Sequence, residues 1–252
     1  MALALEEQRG MLGTVRNAAL LLHLLSEGPA HHQLTDLAER AGMSLPTVHR
    51  LLRSLAAAGL VEQDPKSSRY GLGPELVYLS ERYLARLHVV HAATPYLAQL
   101  RDALNVTVLV AVLVRAHVVY VDRIDAGDAG GVFRDSARLR HAFETPAGRL
   151  LIARAGADAW RQAEAALTAD GAPRPTATDR KTWESAPYLL AVADGGANTC
   201  EVAVPIRSRD GVPASLVASG QATGRDESAF AERVVPQLER AAQAVSRTLG
   251  HV

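Results

Sequence analysis

Leu34-Thr35-Asp36-Leu37-Ala38-Glu39-Arg40-Ala41-Gly42-Met43-Ser44-Leu45-Pro46-Thr47-Val48-His49-Arg50-Leu51-Leu52-Arg53-Ser54-Leu55-Ala56-Ala57-Ala58-Gly59 is the stretch whose reading decides the fold. Its spacing predicts two short amphipathic helices joined by a tight turn. Thr35 is placed to cap the first, which carries Leu37, Ala38 and Ala41 along one side. Gly42 suits the left-handed position that ends a helix. Ser44 is a natural N-cap for the second helix, and Pro46 falls in its first turn, where a missing N–H costs little. Val48, Leu51, Leu52 and Leu55 recur at i, i+3, i+4 and i+7 and so share one face. At about 100° per residue, the opposite face carries Pro46, Arg50, Arg53 and Ala57, flanked by Thr47, His49 and Ser54. A helix with an apolar back and a small, basic, hydroxyl-bearing front fits the major groove of duplex DNA. No acid occurs between Glu39 and Glu62, while Arg40, Arg50 and Arg53 are present, and phosphates attract such a surface whatever the base sequence. The bland alternative is an ordinary helix pair with a solvated outer face.

The rest of the chain sets bounds on this reading. A helix-turn-helix module needs only about 60 to 80 residues, so 252 residues argue for two domains. With 48% hydrophobic and 21% charged residues the composition is that of a globular protein. The formal net charge is zero, so attraction to nucleic acid must come from a local patch. Cys200 is the single cysteine, which excludes an intrachain disulfide and fits a reducing cytoplasm. The first residues, with Glu6 and Glu7 and no long apolar core, do not read as a signal peptide. The apolar run Val106 to Val114 is too short to span a bilayer, so no membrane is expected as a partner.

Outward from the helix pair, residues 1–13 read as a loose arm. Thr14 to Ser26 reads as a helix with Val15, Ala18, Ala19, Leu22 and Leu25 at helical spacing, stopped by Gly28-Pro29. After Gly59 the period changes. Leu60 to Asp64, then Pro65-Lys66-Ser67-Ser68, then Arg69-Tyr70-Gly71-Leu72-Gly73, reads as a short hairpin, the wing of a winged helix. Lys66, Ser67 and Arg69 at its tip are placed to grip the DNA backbone or minor groove, or else the hairpin merely completes the small core. Leu34 to Ala38, Thr47 to Leu52, Gly59 to Val61, Asp64-Pro65, Arg69-Tyr70 and Leu72-Gly73 together closely resemble the IclR-type bacterial transcription regulators. The resemblance implies an α+β protein: an N-terminal winged helix-turn-helix, a linking helix and a C-terminal, GAF-like effector-binding domain. It also implies a homodimer, often a dimer of dimers (a homotetramer).

The expected domains are therefore the arm over 1–13, the DNA-binding domain over 14–73, a linker helix over 74–91 and the effector domain over 92–252. In the linker, Leu76, Leu79, Tyr83, Leu87 and Val90 form an apolar stripe that serves either its own domain or a partner chain. Pro95 is expected to start a further helix, Tyr96 to Leu104. Val106 to Val114 and Val118 to Ile124 read as two antiparallel strands. Asp125 to Gly131 reads as a loop and Val132 to Phe143 as a strand interrupted by arginine. Thr145 caps a helix that has Pro146 at its first position. Helices follow over 158–167 and 179–193, separated by a loop over 169–178. Cys200 to Ser208 and Val212 to Ala222 form a hairpin around Arg209-Asp210-Gly211, and Asp226 to Leu249 closes the chain as a long helix.

Similarity to the family continues more loosely through Val119 to Arg123, Thr145 with Gly148, Pro205 with Asp210-Gly211, and Ser219-Gly220. What it implies is an effector pocket lined by Val112, Tyr120, Phe143, Thr145, Gly148, Cys200, Glu201 and Ser219. Here the chain departs from the family pattern. Phe143 stands where a histidine is common, Glu201 where a cysteine is common, and Arg149 where a lysine is usual; the acidic segment shrinks to Asp194-Gly195-Gly196. Facing the cavity, Glu201 would accept hydrogen bonds from an effector or pair with Arg149 or Arg207; on the other side it is a surface glutamate, and strand parity stays open. Phe143 and the valine-rich strands suggest an apolar or aromatic component to the ligand.

The sequence points to no enzyme, metal or cofactor. Cys200 with His141 lacks a third group to orient the base, and His23, His31 and His32 lack metal-site spacing. The expected function is a DNA-binding transcription regulator, repressor or activator, controlled by a small-molecule effector. In it Thr47, His49, Arg50 and Arg53 approach base edges or phosphates, while Ser44, Pro46 and the wing residues position the module. The competing classes are a small-molecule-processing enzyme with an attached helix-turn-helix and a module whose winged domain binds another protein.

Overall fold

The structure is a computed structural model and describes residues 12–126, 139–167, 174–192, 199–221 and 227–251. Residues 1–11 of the expected arm, residues 127–131 of the loop over 125–131, most of the strand over 132–143, the first half of the loop over 169–178 and the Asp194-Gly195-Gly196 segment lie outside the described residues. The chain divides into two units between Arg86 and Leu87.

In the first unit α1 (Gly13–Leu25), α2 (Leu34–Ala41) and α3 (Leu45–Ala57) precede a small hairpin, β1 (Val61–Gln63) and β2 (Tyr70–Leu72). Their core is Leu21, Leu24, Leu25, Leu37, Ala38, Val48, Leu51, Leu52 and Leu55, closed by Val61 and Tyr70. Leu37 and Leu52 are fully buried, and removing such a side chain from water stabilises by about 1.5–3 kcal/mol. Two local expectations are corrected. Gln33, not Thr35, occupies the N-cap of α2, so Thr35 lies within the first turn. The buried face of α1 is Leu21, Leu24 and Leu25, leaving Val15 exposed. The run Leu20-Leu21-Leu22 offers several apolar phases, and packing chose one that sequence spacing did not. Gly42 ends α2 at φ 62°, in the left-handed conformation expected of it. His32 and Tyr70 exchange backbone hydrogen bonds of 2.8 and 2.9 Å, tying the segment before α2 to the wing.

The expected linker helix over 74–91 is two helices. α4 runs Glu75–Leu84 and α5 runs His88–Leu104, with Ala85 to Leu87 between them. Leu87 and Val90 therefore pack with the second unit, while Leu79 and Tyr83 on α4 are exposed. Pro95 does not start a helix; it sits inside α5. A proline there costs about 3 kcal/mol, but α5 buries Val89, Ala93, Leu97, Leu100 and Leu104 at helical spacing against the sheet, which more than offsets it.

The second unit is a six-stranded antiparallel sheet in the order β5-β4-β3-β8-β7-β6, giving the α+β, GAF-like architecture expected. The strands are β3 (Thr107–Val114), β4 (His117–Ile124), β5 (Leu139–His141), β6 (Leu189–Val192), β7 (Thr199–Ser208) and β8 (Gly211–Gln221). Both faces are covered, and side chains alternate between them except where β-bulges interrupt the register. Val108, Val110, Val112, Cys200, Val202, Val204, Leu216 and Ala218 face α5 and the closing helix α9 (Glu227–Thr248). Leu109, Ala111, Val118, Tyr120, Ala203 and Val217 face α6 (Pro146–Arg154). Beyond α6 come α7 (Ala157–Ala165) and α8 (Ala177–Ser185). The helix expected over 179–193 stops at Ser185 because Leu189 to Val192 joins the sheet as β6 beside β7.

Candidate DNA-binding face and ligand cleft

α3 presents its two faces as the period requires. Val48, Leu51, Leu52 and Leu55 are buried, while Pro46, His49, Arg50 and Arg53 are exposed and Thr47 is half-buried. Pro46 lies in the first turn, where it removes an N–H that would bond to nothing in the helix. Ser44 is the N-cap residue, yet its hydroxyl contacts the Thr47 hydroxyl at 2.9 Å rather than a backbone N–H. Among the described residues neither Arg50 nor Arg53 makes an ion pair. Arg40, the third basic residue of the stretch, differs: Glu27 holds it at 2.7 Å and Asp36 lies 3.7 Å away. The free positive charge is thus concentrated on the front of α3.

The wing turn is organised by Asp64. Its carboxylate accepts from the backbone N–H groups of Lys66 (3.3 Å) and Ser67 (3.0 Å) and from the Ser67 hydroxyl. These bonds, the hydroxyl's above all, hold the carboxyl below its ordinary range. The Ser67 hydroxyl proton is therefore committed within the turn, while Lys66 and Arg69 remain exposed. The arginine and lysine flank a rigid tip.

The α6 side of the sheet carries a cleft of ≈ 120 Å³ lined by Thr107, Leu109, Tyr120, Arg123, Arg140, Glu201 and Ser219. Three residues of the expected pocket, Tyr120, Glu201 and Ser219, meet here; Glu201 and Ser219 sit opposite each other across β7 and β8. Glu201 faces this side rather than the outer surface. Burial pushes its carboxyl up, and the charges of Arg140 and Arg123 pull it back down. Burial first, then the charge of Glu201, push the Tyr120 phenol up, against a weaker opposing pull from the Thr145 hydroxyl, so it stays neutral; its oxygen makes no hydrogen bond of standard geometry among the described residues. Arg140 bonds Glu144 through Nε at 3.0 Å, and Arg123 bonds Asp125 at 2.7 Å.

The other expected pocket residues lie elsewhere. Val112 and Cys200 point into the α5 and α9 core, because strand alternation puts Cys200 opposite in sense to Glu201. Burial raises the Cys200 thiol, which disfavours the thiolate a nucleophile needs. Phe143 is 1% exposed and plugs an aromatic cluster with His141, Trp160 and Trp183 at centroid distances of 5.2, 5.0 and 6.1 Å. The aromatic ligand component inferred from Phe143 therefore loses its support. Thr145 and Gly148 build the start of α6: the Thr145 hydroxyl accepts from the Gly148 N–H at 3.0 Å. Arg149 donates to the Phe143 carbonyl at 2.8 Å and lies over Trp183, so it is not the partner of Glu201. His141, the other half of the proposed Cys200 couple, spends Nε2 on the Ala163 carbonyl at 3.1 Å.

Sequence reasoning missed Thr107, Leu109, Arg123 and Arg140. Arg123 was hidden by a β-bulge. Tyr120 pairs with Ala111 and Arg123 with Leu109, so Val121 is an extra residue that puts two side chains three apart on one face. Arg140 comes in through β5, whose pairing with β4 aligns Val118 with Arg140.

Two family models match the chain: the IclR helix-turn-helix domain over residues 14–65 and the bacterial transcriptional regulator IclR C-terminal domain over 81–186. Along nearly its whole length the chain is similar to the HTH-type transcriptional regulator XynR of Escherichia coli (strain K12), at 25% identity over 96% of this chain and 98% of that protein. It is likewise similar to the glycerol operon regulatory protein of Streptomyces coelicolor, at 29% identity over 94% and 96% of the two chains. In fold it is similar to an IclR homolog from Microbacterium hydrocarbonoxydans crystallised with 4-hydroxybenzoate, with a TM-score of 0.68, 21% identity and coverage of 95% and 100%. A helix-turn-helix with an unpaired arginine front, followed by an α+β unit matched by the same family's second model, makes this chain a DNA-binding transcriptional regulator of the IclR family.

Proposed function

We propose that residues 14–73, within the first unit, read an operator through the front of α3, with Arg50, Arg53, Thr47 and His49 approaching base edges or phosphates. Ser44, Pro46, Lys66, Ser67 and Arg69 position the module on the backbone. The observation that carries this is the pair of exposed arginines on α3 that no acid among the described residues answers, on a helix whose other face is locked into the core. The unit over 92–252 binds a small molecule in the cleft around Tyr120, Glu201 and Ser219, and the occupied cleft changes operator affinity. The fold shared with a homologue crystallised with 4-hydroxybenzoate supports a ligand-controlled reading. An effector changes affinity only by the difference in its binding to the two states; a coupling of about 1–3 kcal/mol corresponds to about 5- to 150-fold.

The protein acts as a homodimer or a dimer of dimers, reading half-sites about 34 Å apart or a multiple of that. The exposed Val77, Tyr78, Leu79 and Tyr83 on α4 support such a partner. We read it as working in the cytoplasm, as a regulator rather than an enzyme.

The test is a fluorescence-anisotropy titration of the protein's own upstream DNA. Arg50→Ala with Arg53→Ala is expected to abolish specific binding and leave the melting temperature nearly unchanged. Undiminished affinity in that double variant would overturn the assigned recognition face.

A further inference from the structure

The charges around the cleft do not cancel. Arg140 brings its own carboxylate, Glu144, and Arg123 brings Asp125. Glu201 brings none: among the described residues its carboxylate makes no hydrogen bond and no ion pair. The neighbouring groups sharpen the point. Tyr120 is 8% exposed and lines the same cleft; its phenol oxygen is buried and makes no hydrogen bond of standard geometry, with the Thr145 hydroxyl near enough to lower its pKa. Ser219, paired across the strands with Glu201, adds a hydroxyl. A half-buried carboxylate with no donor from the protein and a buried phenol beside it are groups that a ligand in the cleft can satisfy better than the protein does. An engineered cavity of about 150 Å³ takes benzene; by that measure ≈ 120 Å³ seats a ligand of similar size or a little smaller.

Resting on the effector-site reading above, we infer that this cleft selects a small, donor-rich ligand without negative charge, a short polyol or an amino alcohol, and rejects carboxylates of equal size. A ligand hydroxyl or ammonium donates to a Glu201 carboxylate oxygen, forming a charge-assisted bond. A second ligand hydroxyl exchanges hydrogen bonds with the Tyr120 phenol, which can donate or accept. An anionic ligand instead sets a like charge beside the half-buried Glu201, and the two arginines are already engaged by their own acids. The raised carboxyl of Glu201 agrees with a carboxylate short of donors.

The test is isothermal titration calorimetry of the full chain with glycerol and ethanolamine as donors and glycerate as the anion of similar size, each repeated with operator binding measured alongside. At least one donor is expected to bind saturably to the wild-type protein and at least tenfold more tightly than glycerate. The isosteric Glu201→Gln is expected to weaken that donor about tenfold, and Ser219→Ala serves as the second variant. Preference for ethanolamine identifies the charge of Glu201 as the selector, and preference for glycerol identifies its acceptor oxygens. Failure of both donors to bind, glycerate binding as tightly as either, or a donor indifferent to both substitutions overturns the inference. Glycerate that binds the cleft and shifts operator affinity overturns it while leaving the effector site standing. A donor that binds through Glu201 without altering operator affinity supports the selectivity and overturns the effector role.

Discussion

Gly148 lies against Ala142 so closely that a Cβ on it would sit 2.2 Å from the Ala142 carbonyl oxygen. The contact joins the first turn of α6 to the short 3-10 helix Ala142–Glu144 that leads into it. The Thr145 cap and the Arg149 bond to the Phe143 carbonyl brace the same junction. This is a requirement for glycine set by space rather than by backbone angle. It positions the start of a helix whose Ala147, Leu150 and Leu151 cover the sheet beside the cleft.

Gly148→Ala is therefore expected to destabilise the second unit by about 1–3 kcal/mol, the usual cost of overpacking. Chemical denaturation followed by tryptophan fluorescence checks this directly, since both tryptophans, Trp160 and Trp183, sit in the cluster behind α6. A variant as stable as the wild-type protein would mean that the junction moves freely.

Arg154 gives a second structural prediction. Its guanidinium donates to the carbonyls of Leu150 (2.9 Å), Trp183 (2.7 Å) and Ala186 (2.6 Å), gathering the end of α8 onto α6. Arg154→Met keeps the stem and removes the charge-assisted bonds, a loss of at least about 1.5–3 kcal/mol. Hydrogen exchange is expected to rise over 183–192 and to stay unchanged across α3.

These contacts mark the boundary of what the sequence could be made to tell. The face of α3 was legible because one period in thirteen residues fixes both its core and its front. The Thr145-Pro146 start of α6 was legible because capping is local chemistry. The cleft was only partly so. Tyr120, Glu201 and Ser219 came through resemblance, but Arg123 depended on a bulge and Arg140 on a pairing to β4 from a strand of three residues. Val112 and Cys200 were placed on the wrong face because a strand's parity cannot be read without its neighbours. Phe143 shows a different limit: an apolar residue beside a pocket and one inside a core have the same sequence signature. The break at Ala85 to Leu87 was missed because the apolar stripe continues straight across it.

Glu201 makes stability depend on pH in a direction that can be worked out. Its folded carboxyl titrates above the ordinary value of 4.5, so between the two values the folded state holds more protons than the unfolded one. Stability then falls as pH rises through that window, and above it the full cost of the buried charge persists. Glu201→Gln is expected to match the wild-type protein at pH below 4.5 and to melt higher than it at neutral pH. Equal melting temperatures across the range would show that the carboxylate is adequately solvated. A saturating donor ligand is expected to narrow the gap by raising the wild-type curve more than the variant's.

The wing and the helix front should separate in their dependence on salt. Lys66 is exposed on a turn that Asp64 organises through the backbone, so removing its side chain leaves the turn in place. If it meets a phosphate, Lys66→Ala weakens binding to operator and to scrambled DNA alike, and lowers the slope of log affinity against log salt by about one. Arg50→Ala, if it meets a base edge, instead costs about 1–3 kcal/mol on the operator and relaxes preference at one base position. Asp64→Ala removes the acceptor that pins Ser67 and Lys66, and is expected to resemble Lys66→Ala in salt slope although it deletes a negative charge. That outcome is the informative one: simple charge arithmetic predicts tighter binding for Asp64→Ala, whereas a wing held rigid by its carboxylate predicts weaker.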